Sequence, residues 1–215
     1  MDNIHYLRKK TINKCIEIEK GKVHIESKLT VDRIQDLIFA SDFTSHAHYT
    51  SIYTRRETLE CFAKKGAGIT LAILDNKTIV GFSVLDYPNV KERWAKLGEG
   101  IMMEIKAVEV LRGFRNHGIA RQLLFPLFRD PELEKKIVYL TAYSWTWDLD
   151  YSGLSVQSYR NMLINLYAGF GLIEYLTNEP NICLKPENIF MAQVGKNVPQ
   201  EIRETFKWMR FGVSF

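Results

Sequence analysis

The chain has 215 residues, 46% hydrophobic and 25% charged, a balance that predicts one compact folded domain over residues 1–215 rather than a disordered segment. Lys and Arg number 29 against 25 Asp and Glu, and the formal +4 favours anionic ligands without the dense basic stripe of a nucleic-acid binder. Cys15, Cys61 and Cys183 form no C-x-x-C pair, "MDNIHYLRKK" lacks a signal-peptide core and no apolar run reaches a membrane span, so we expect a cytoplasmic protein without disulfide framework, thiolate zinc site or membrane association.

In chain order, "NKCIEIEKGKVHIESKL" reads as a two-strand hairpin turning near Gly21. "TVDRIQDLIF" follows with Thr30 as candidate cap and Val31, Ile34, Leu37 and Ile38 at helical spacing, and a second helix is expected from Arg56 to Lys64. "ITLAILDNKTIVGFSVLDYP" is a longer hairpin around Asp75-Asn76, and "VKERWAKLGEG" is a polar connection with room for a short helix. "MMEIKAVEV" reads as a strand leading into a helix in which Ile119, Leu123 and Leu127 recur every fourth position, with Pro126 expected to kink or shorten it. "KKIVYLTAYSW" is a buried strand, "SVQSYRNMLINLYAGFG" a helix ended by glycines, "LIEYLT" and "IFMAQVG" shorter strands, and "PQEIRETFKWMRFG" a closing amphipathic helix. No repeat, low-complexity tract or linker interrupts this order, which is a mixed α/β layer built on hairpins.

The strand-to-helix junction "EVLRGFRNHGIARQLL", Glu109 to Leu124, is the strongest local signal. A helix start offers amides without intrahelical acceptors and the positive end of the dipole, so removing side chains there lets a phosphate reach the backbone. Gly118 permits that approach, Ala120 keeps the next inward position small, and Arg112, Arg115 and Arg121 surround the place for negative charge. The pattern is that of a pyrophosphate cradle.

"RNHGIA" resembles the R/Q-x-x-G-x-G/A motif of the GCN5-related N-acetyltransferases (GNAT), in the strand-loop-helix setting which that family requires. "RWAKLGEGIMMEIKAVEV", "AYSWTWDL", "TNEP" and "AQVGKNV" extend the likeness over nearly the whole length, to a bacterial acetoin-utilisation branch of the family. The resemblance implies an α/β (α+β) fold with a mixed central sheet and helices on both faces, acetyl-CoA as cosubstrate and no metal. It further implies transfer of acetyl to a protein lysine, with acetyl-CoA synthetase as acceptor. Arg115, Asn116, His117, Gly118, Ile119, Ala120 and Arg121 would hold the diphosphate, and the backbone of Val108, Glu109 and Val110 would meet the thioester. Two positions depart from the pattern: Arg112 stands where relatives often carry proline, and Asn116 replaces the glycine usual after the first arginine of the motif.

A lysine amine, with a reference pKa of about 10.4, is almost wholly ammonium at neutral pH and cannot attack a thioester until a base takes its proton. Glu104 stands where some family members place that base. Strand alternation puts it with Lys106, Val108 and Val110, and puts Glu109, the rival base, with Ile105 and Ala107. Tyr167, four residues before Gly171, resembles the family's Tyr-x-x-x-Gly-Phe segment, with Leu172 in place of the phenylalanine, and is the candidate donor to the leaving thiolate, although an aromatic at a helix end also serves packing.

His46 and His48 alternate like two ligands but have no third, and "SHAHYTSIYTRRE" lies where the family flanks its acceptor, offering Tyr49, Tyr53, Arg55 and Arg56. Trp145, Trp147, Asp148 and Asp150 could receive a lysine-bearing loop or simply pack. A small-molecule amine acetyltransferase and a non-catalytic acetyl-CoA sensor are the rival functions, and the sequence leaves the oligomeric state and the docking of the C-terminal helix open.

Overall fold

A computed structural model describes residues 14–44 and 53–213. They fall into two units, one of residues 14–44, 53–86 and 106–129 and one of residues 87–105 and 130–213, and the chain crosses from one to the other within a strand, between Ile105 and Lys106.

The first unit opens on the expected hairpin, β1 (Lys14–Ile18) and β2 (Gly21–Ser27), with Ile16 opposite Val23. Thr30 caps α1 (Val31–Gln35), its hydroxyl accepting from the Arg33 amide at 3.2 Å. The helix ends three residues short of the apolar spacing. Ile38 and Phe39 instead form β3, because the Ile38 amide finds the Lys77 carbonyl at 2.9 Å and the Phe39 ring lies 4.7 Å from Phe43. Sheet pairing here outcompetes one further helical turn.

Helix α2 (Arg56–Lys64) has the bounds that the sequence implies. β4 (Gly68–Leu74) and β5 (Thr78–Asp86) join through Asp75 and Asn76, both at positive φ, as a tight hairpin turn between right-twisted strands requires. A bulge follows, since Ala72 faces Gly81 but Ile73 faces Ile79. β3 runs parallel to β5, with Ile38 opposite Thr78. β6 (Met102–Val110) then leads into α3 (Ile119–Phe128), and the strand order of this unit is β1-β2-β4-β5-β6. Pro126 lies inside α3, which continues only two residues past it, so the helix is shortened as expected.

Alternation along β5 sorts its neighbours. Phe82 joins Phe39, Phe43 and Tyr53 beside the α1–α2 layer, whereas Ser83 turns to α3 and donates to the Leu123 carbonyl at 3.0 Å. Helices therefore cover both faces of this sheet. Gly81, on the α3 side, has no side chain because a Cβ would lie 3.0 Å from the Glu109 carbonyl oxygen, so β6 can approach closely.

α1 and α2 are tied by Arg56, which donates to Glu60 at 3.1 Å and to the carbonyls of Gln35 and Leu37 at 3.1 and 3.2 Å. Hydrogen bonds from Gln35 and then from Arg56 hold the Glu60 carboxyl below its ordinary value of 4.5. A lowered folded pKa contributes stability that is fully present above the unfolded value and is lost as pH falls through the folded one. Glu60→Gln is expected to flatten this acid-side loss, measured as the difference in urea midpoint between about pH 6 and about pH 3; an unchanged difference would refute the assignment.

The second unit takes the start of β6 and adds β7 (Ile137–Ala142), α4 (Leu149–Ser152), α5 (Val156–Ala168), β8 (Ile173–Glu174), α6 (Pro180–Cys183), β9 (Ile189–Val194) and α7 (Gln200–Met209), in the strand order β6-β7-β9-β8. β7 is parallel to β6 and antiparallel to β9. The sequence segment "LIEYLT" contributes only two strand residues, because Tyr175 pairs once more with Phe190 and the chain then leaves the edge. α4 and α6, single turns without a periodic apolar stripe, escaped the sequence reading. Ile137, Tyr139, Phe190 and Ala192 share a sheet face and pack with Trp94, Phe206 and Met209, which docks α7 on this unit's own core. α7 is thus intramolecular.

Candidate active site

β6 delivers the candidate base. Glu104 lies opposite Tyr139 in the β6–β7 ladder, which covers Met102 to Glu104 although each strand continues further. Ile105 and Ala107 are buried and Glu104 is half-buried, as the alternation implies. The Tyr139 hydroxyl donates to Glu92 Oε2 at 3.3 Å, and Glu104 also lies within its hydrogen-bonding range. Burial drives the Tyr139 pKa far upward, followed by the charges of Glu104 and Glu92, so this phenol keeps its proton. Tyr143 is raised for the same leading reason, with Glu179, Glu104 and Glu92 adding to it.

The loop after β6 is a tight turn over Arg112–Phe114 followed by two left-handed residues, Asn116 at φ 67° and Gly118 at φ 72°. Asn116 thus occupies a conformation that glycine favours and that asparagine tolerates better than most residues, which accounts for the departure from the family pattern. No side chain caps α3, and its first backbone bond runs from Gln122 to the Gly118 carbonyl at 3.2 Å. The Ile119 and Ala120 amides therefore precede the helical ladder. Among the described residues, a Cβ on Gly118 would meet nothing beyond its chain neighbours within 4 Å, which leaves open space beside the start of α3.

The motif's arginine has a backbone task that the sequence did not reveal. Arg115 Nε donates to the Val110 carbonyl at 3.0 Å, bracing the loop against the end of β6. His117 is exposed, with Nδ1 2.7 Å from the Arg115 carbonyl oxygen. Lys20, from the β1–β2 turn, sets its ammonium 5.2 Å above the Phe114 ring, placing another cation at the loop's entrance. Nothing in the sequence signals that contact.

Tyr167 lies in the last turn of α5 and is 7% exposed, compatible with both roles considered for it. Trp145 stacks on Tyr143 at 4.7 Å and is 59% exposed, whereas Trp147 stacks on Tyr159 at 5.3 Å and is 8% exposed, so only the first presents a face to solvent. Asp148 is buried and Asp150 exposed. Arg56 is committed to the α1–α2 tie and Tyr53 packs on Phe62 at 5.4 Å, whereas Arg55 is exposed. His46, His48 and Tyr49 lie outside the described residues. Among the described residues no group of His, Cys, Asp or Glu could hold a metal ion, and no helix is long and apolar enough to cross a membrane.

A family model described as Acetyltransferase (GNAT) family matches residues 31–144, more than half of the chain, including the loop just described. The chain belongs to the GNAT acetyltransferases. This GNAT protein is 32% identical over 92% of its length to acetoin utilization protein AcuA of Bacillus licheniformis, covering 93% of that protein. Against AcuA of Bacillus subtilis strain 168 it is 31% identical, over 91% of the chain and 92% of the relative. It superimposes on the crystal structure of an acetoin utilization protein from Exiguobacterium sibiricum with a TM-score of 0.86, at 29% identity and 96% coverage of both chains. The fold also matches yncA of Salmonella typhimurium, solved with its cofactor acetyl-CoA, at a TM-score of 0.50 and 13% identity over 80% of this chain and 93% of that one. As a GNAT enzyme the protein is an N-acetyltransferase that uses acetyl-CoA.

Proposed function

We propose that this acetyltransferase works in acetoin and acetate metabolism as a cytoplasmic protein lysine acetyltransferase, with acetyl-CoA synthetase as its acceptor. The likeness to proteins named for acetoin utilization, over more than nine-tenths of each chain, supports the metabolic setting. The observation that carries the chemistry is the uncapped start of α3 behind the left-handed Asn116 and Gly118, which suits a diphosphate on bare amides.

Acetyl-CoA supplies the thioester. In this reading residues 115–121 hold its diphosphate, with Arg115 and Arg121 adding charge, and the backbone amides of Val108 to Val110 face the thioester oxygen. Glu104 takes the proton from the lysine ammonium as the amine attacks, and Tyr167 donates to the departing thiolate. Residues 1–215 act as one catalytic domain in this reading. Acetylation removes the charge and the donors of the target lysine, which would switch off a synthetase that uses them.

The test incubates the protein with acetyl-CoA and purified acetyl-CoA synthetase and maps modified peptides by mass spectrometry. An enzyme-dependent gain of acetyl on a single lysine, with loss of synthetase activity, is the expected result. Turnover of amino acids or polyamines with the synthetase left unmodified would overturn the substrate assignment.

A further inference from the structure

Tyr139 has one proton to donate and two carboxylates within reach. Its side chain is fully buried, with Trp94 at 5.5 Å and Phe190 at 5.9 Å, so the hydroxyl is the polar tip of an otherwise apolar cluster. The proton points to Glu92 Oε2 at 3.3 Å, on the connection before β6, while the register sets Glu104 directly opposite Tyr139 on the neighbouring strand. β9 brings Ala192, opposite Tyr139 in the β7–β9 ladder, and the Phe190 ring to this side chain. The next acidic group, Glu179, acts on Tyr143 rather than on Tyr139.

We infer that Glu92 and Tyr139 are positioning residues that set the proton affinity and orientation of Glu104, through one hydroxyl shared by two carboxylates. The inference rests on the reading of Glu104 as general base. While Tyr139 donates to Glu92, the Glu104 carboxylate has a second negative charge nearby and only a partial share of that donor. The neighbouring charge favours its protonated form, and the divided donor offsets that only in part, so Glu104 is a stronger acceptor for the lysine proton than it would be with the hydroxyl to itself. Because burial and the two carboxylates keep the phenol protonated, Tyr139 acts throughout as donor and never as base. Neither Glu92 nor Tyr139 touches substrate in this scheme.

The two substitutions have opposite signs. Glu92→Gln removes the neighbouring charge and should lower the Glu104 pKa by about one pH unit. Tyr139→Phe removes the shared donor and should raise it by a comparable amount. The measurement is a carbon-13 carboxyl titration of the folded protein, with Glu104→Gln identifying the resonance, alongside the acid limb of kcat/KM for acetylation of a lysine peptide. Opposite shifts of the resonance, followed by the acid limb, are expected. A Glu104 resonance that moves in neither variant, or moves the same way in both, overturns the coupling whatever the enzyme's base is. If the resonance moves as expected while the acid limb stays put, the coupling stands and Glu104 fails as base. Glu92→Asp should restore most of the wild-type profile, which a merely structural role would not require.

Discussion

Replacing Glu104 by glutamine is expected to lower kcat for lysine acetylation by about 10²- to 10⁴-fold, the range in which a positioned general base contributes. The substitution keeps shape and hydrogen-bonding capacity, so the Tyr139 hydroxyl still finds a partner and the β6–β7 ladder is undisturbed. What it removes is the only property at issue, the capacity to accept a proton. Affinity for acetyl-CoA, measured by calorimetry, should stay within about twofold, because the residues proposed for the diphosphate belong to the loop and α3. The deficit should shrink with alkalinity. A lysine of reference pKa about 10.4 is free amine in a fraction that grows tenfold per pH unit below that value, so the variant's rate should climb along the same line. A variant that turns over within about threefold of wild type at neutral pH would remove Glu104 from the mechanism and bring Glu109 forward.

The strand-loop-helix setting of the proposed cradle was legible because its determinants are local. A strand, a loop with Gly118, and a helix starting at Ile119 sit within twenty consecutive residues, and each signals itself through side-chain period or backbone permissiveness. The hairpin at Asp75-Asn76, the Thr30 cap and α2 were legible for the same reason. Ile38 was misread because an apolar residue at the right spacing looks helical until the Lys77 carbonyl, far along the chain, claims its amide. The Glu92–Tyr139 contact joins residues 47 positions apart and had no sequence signature, since Glu92 looked like one charge in a polar connection. The absence of a linker is explained likewise. The boundary between the two units falls inside β6, where strand continuity leaves no change in composition to read.

Valine at position 118 is expected to weaken acetyl-CoA binding at least tenfold, about 1.4 kcal/mol, and the cost has two separable sources. The first is conformational: Gly118 sits at φ 72°, a region that costs a residue with a Cβ roughly 1–2 kcal/mol and a β-branched one the most. Relief of that strain would pull the turn away from its left-handed shape and re-aim the Ile119 and Ala120 amides. The second is occupancy. Among the described residues no atom beyond the chain neighbours lies within 4 Å of a Cβ at this position, so a side chain there would enter the space where the diphosphate is proposed to lie. Gly118→Ala should therefore bind with intermediate affinity, carrying the strain with little of the bulk. Asn116→Gly relaxes a neighbouring left-handed residue without adding volume and should leave binding within about twofold. Calorimetric Kd values ordered wild type, alanine, valine, with thermal melts showing all three folded, are the expected result. If valine binds acetyl-CoA as tightly as glycine, no phosphate approaches this backbone, and the cofactor must be held by side chains such as Arg121 and Lys20 instead.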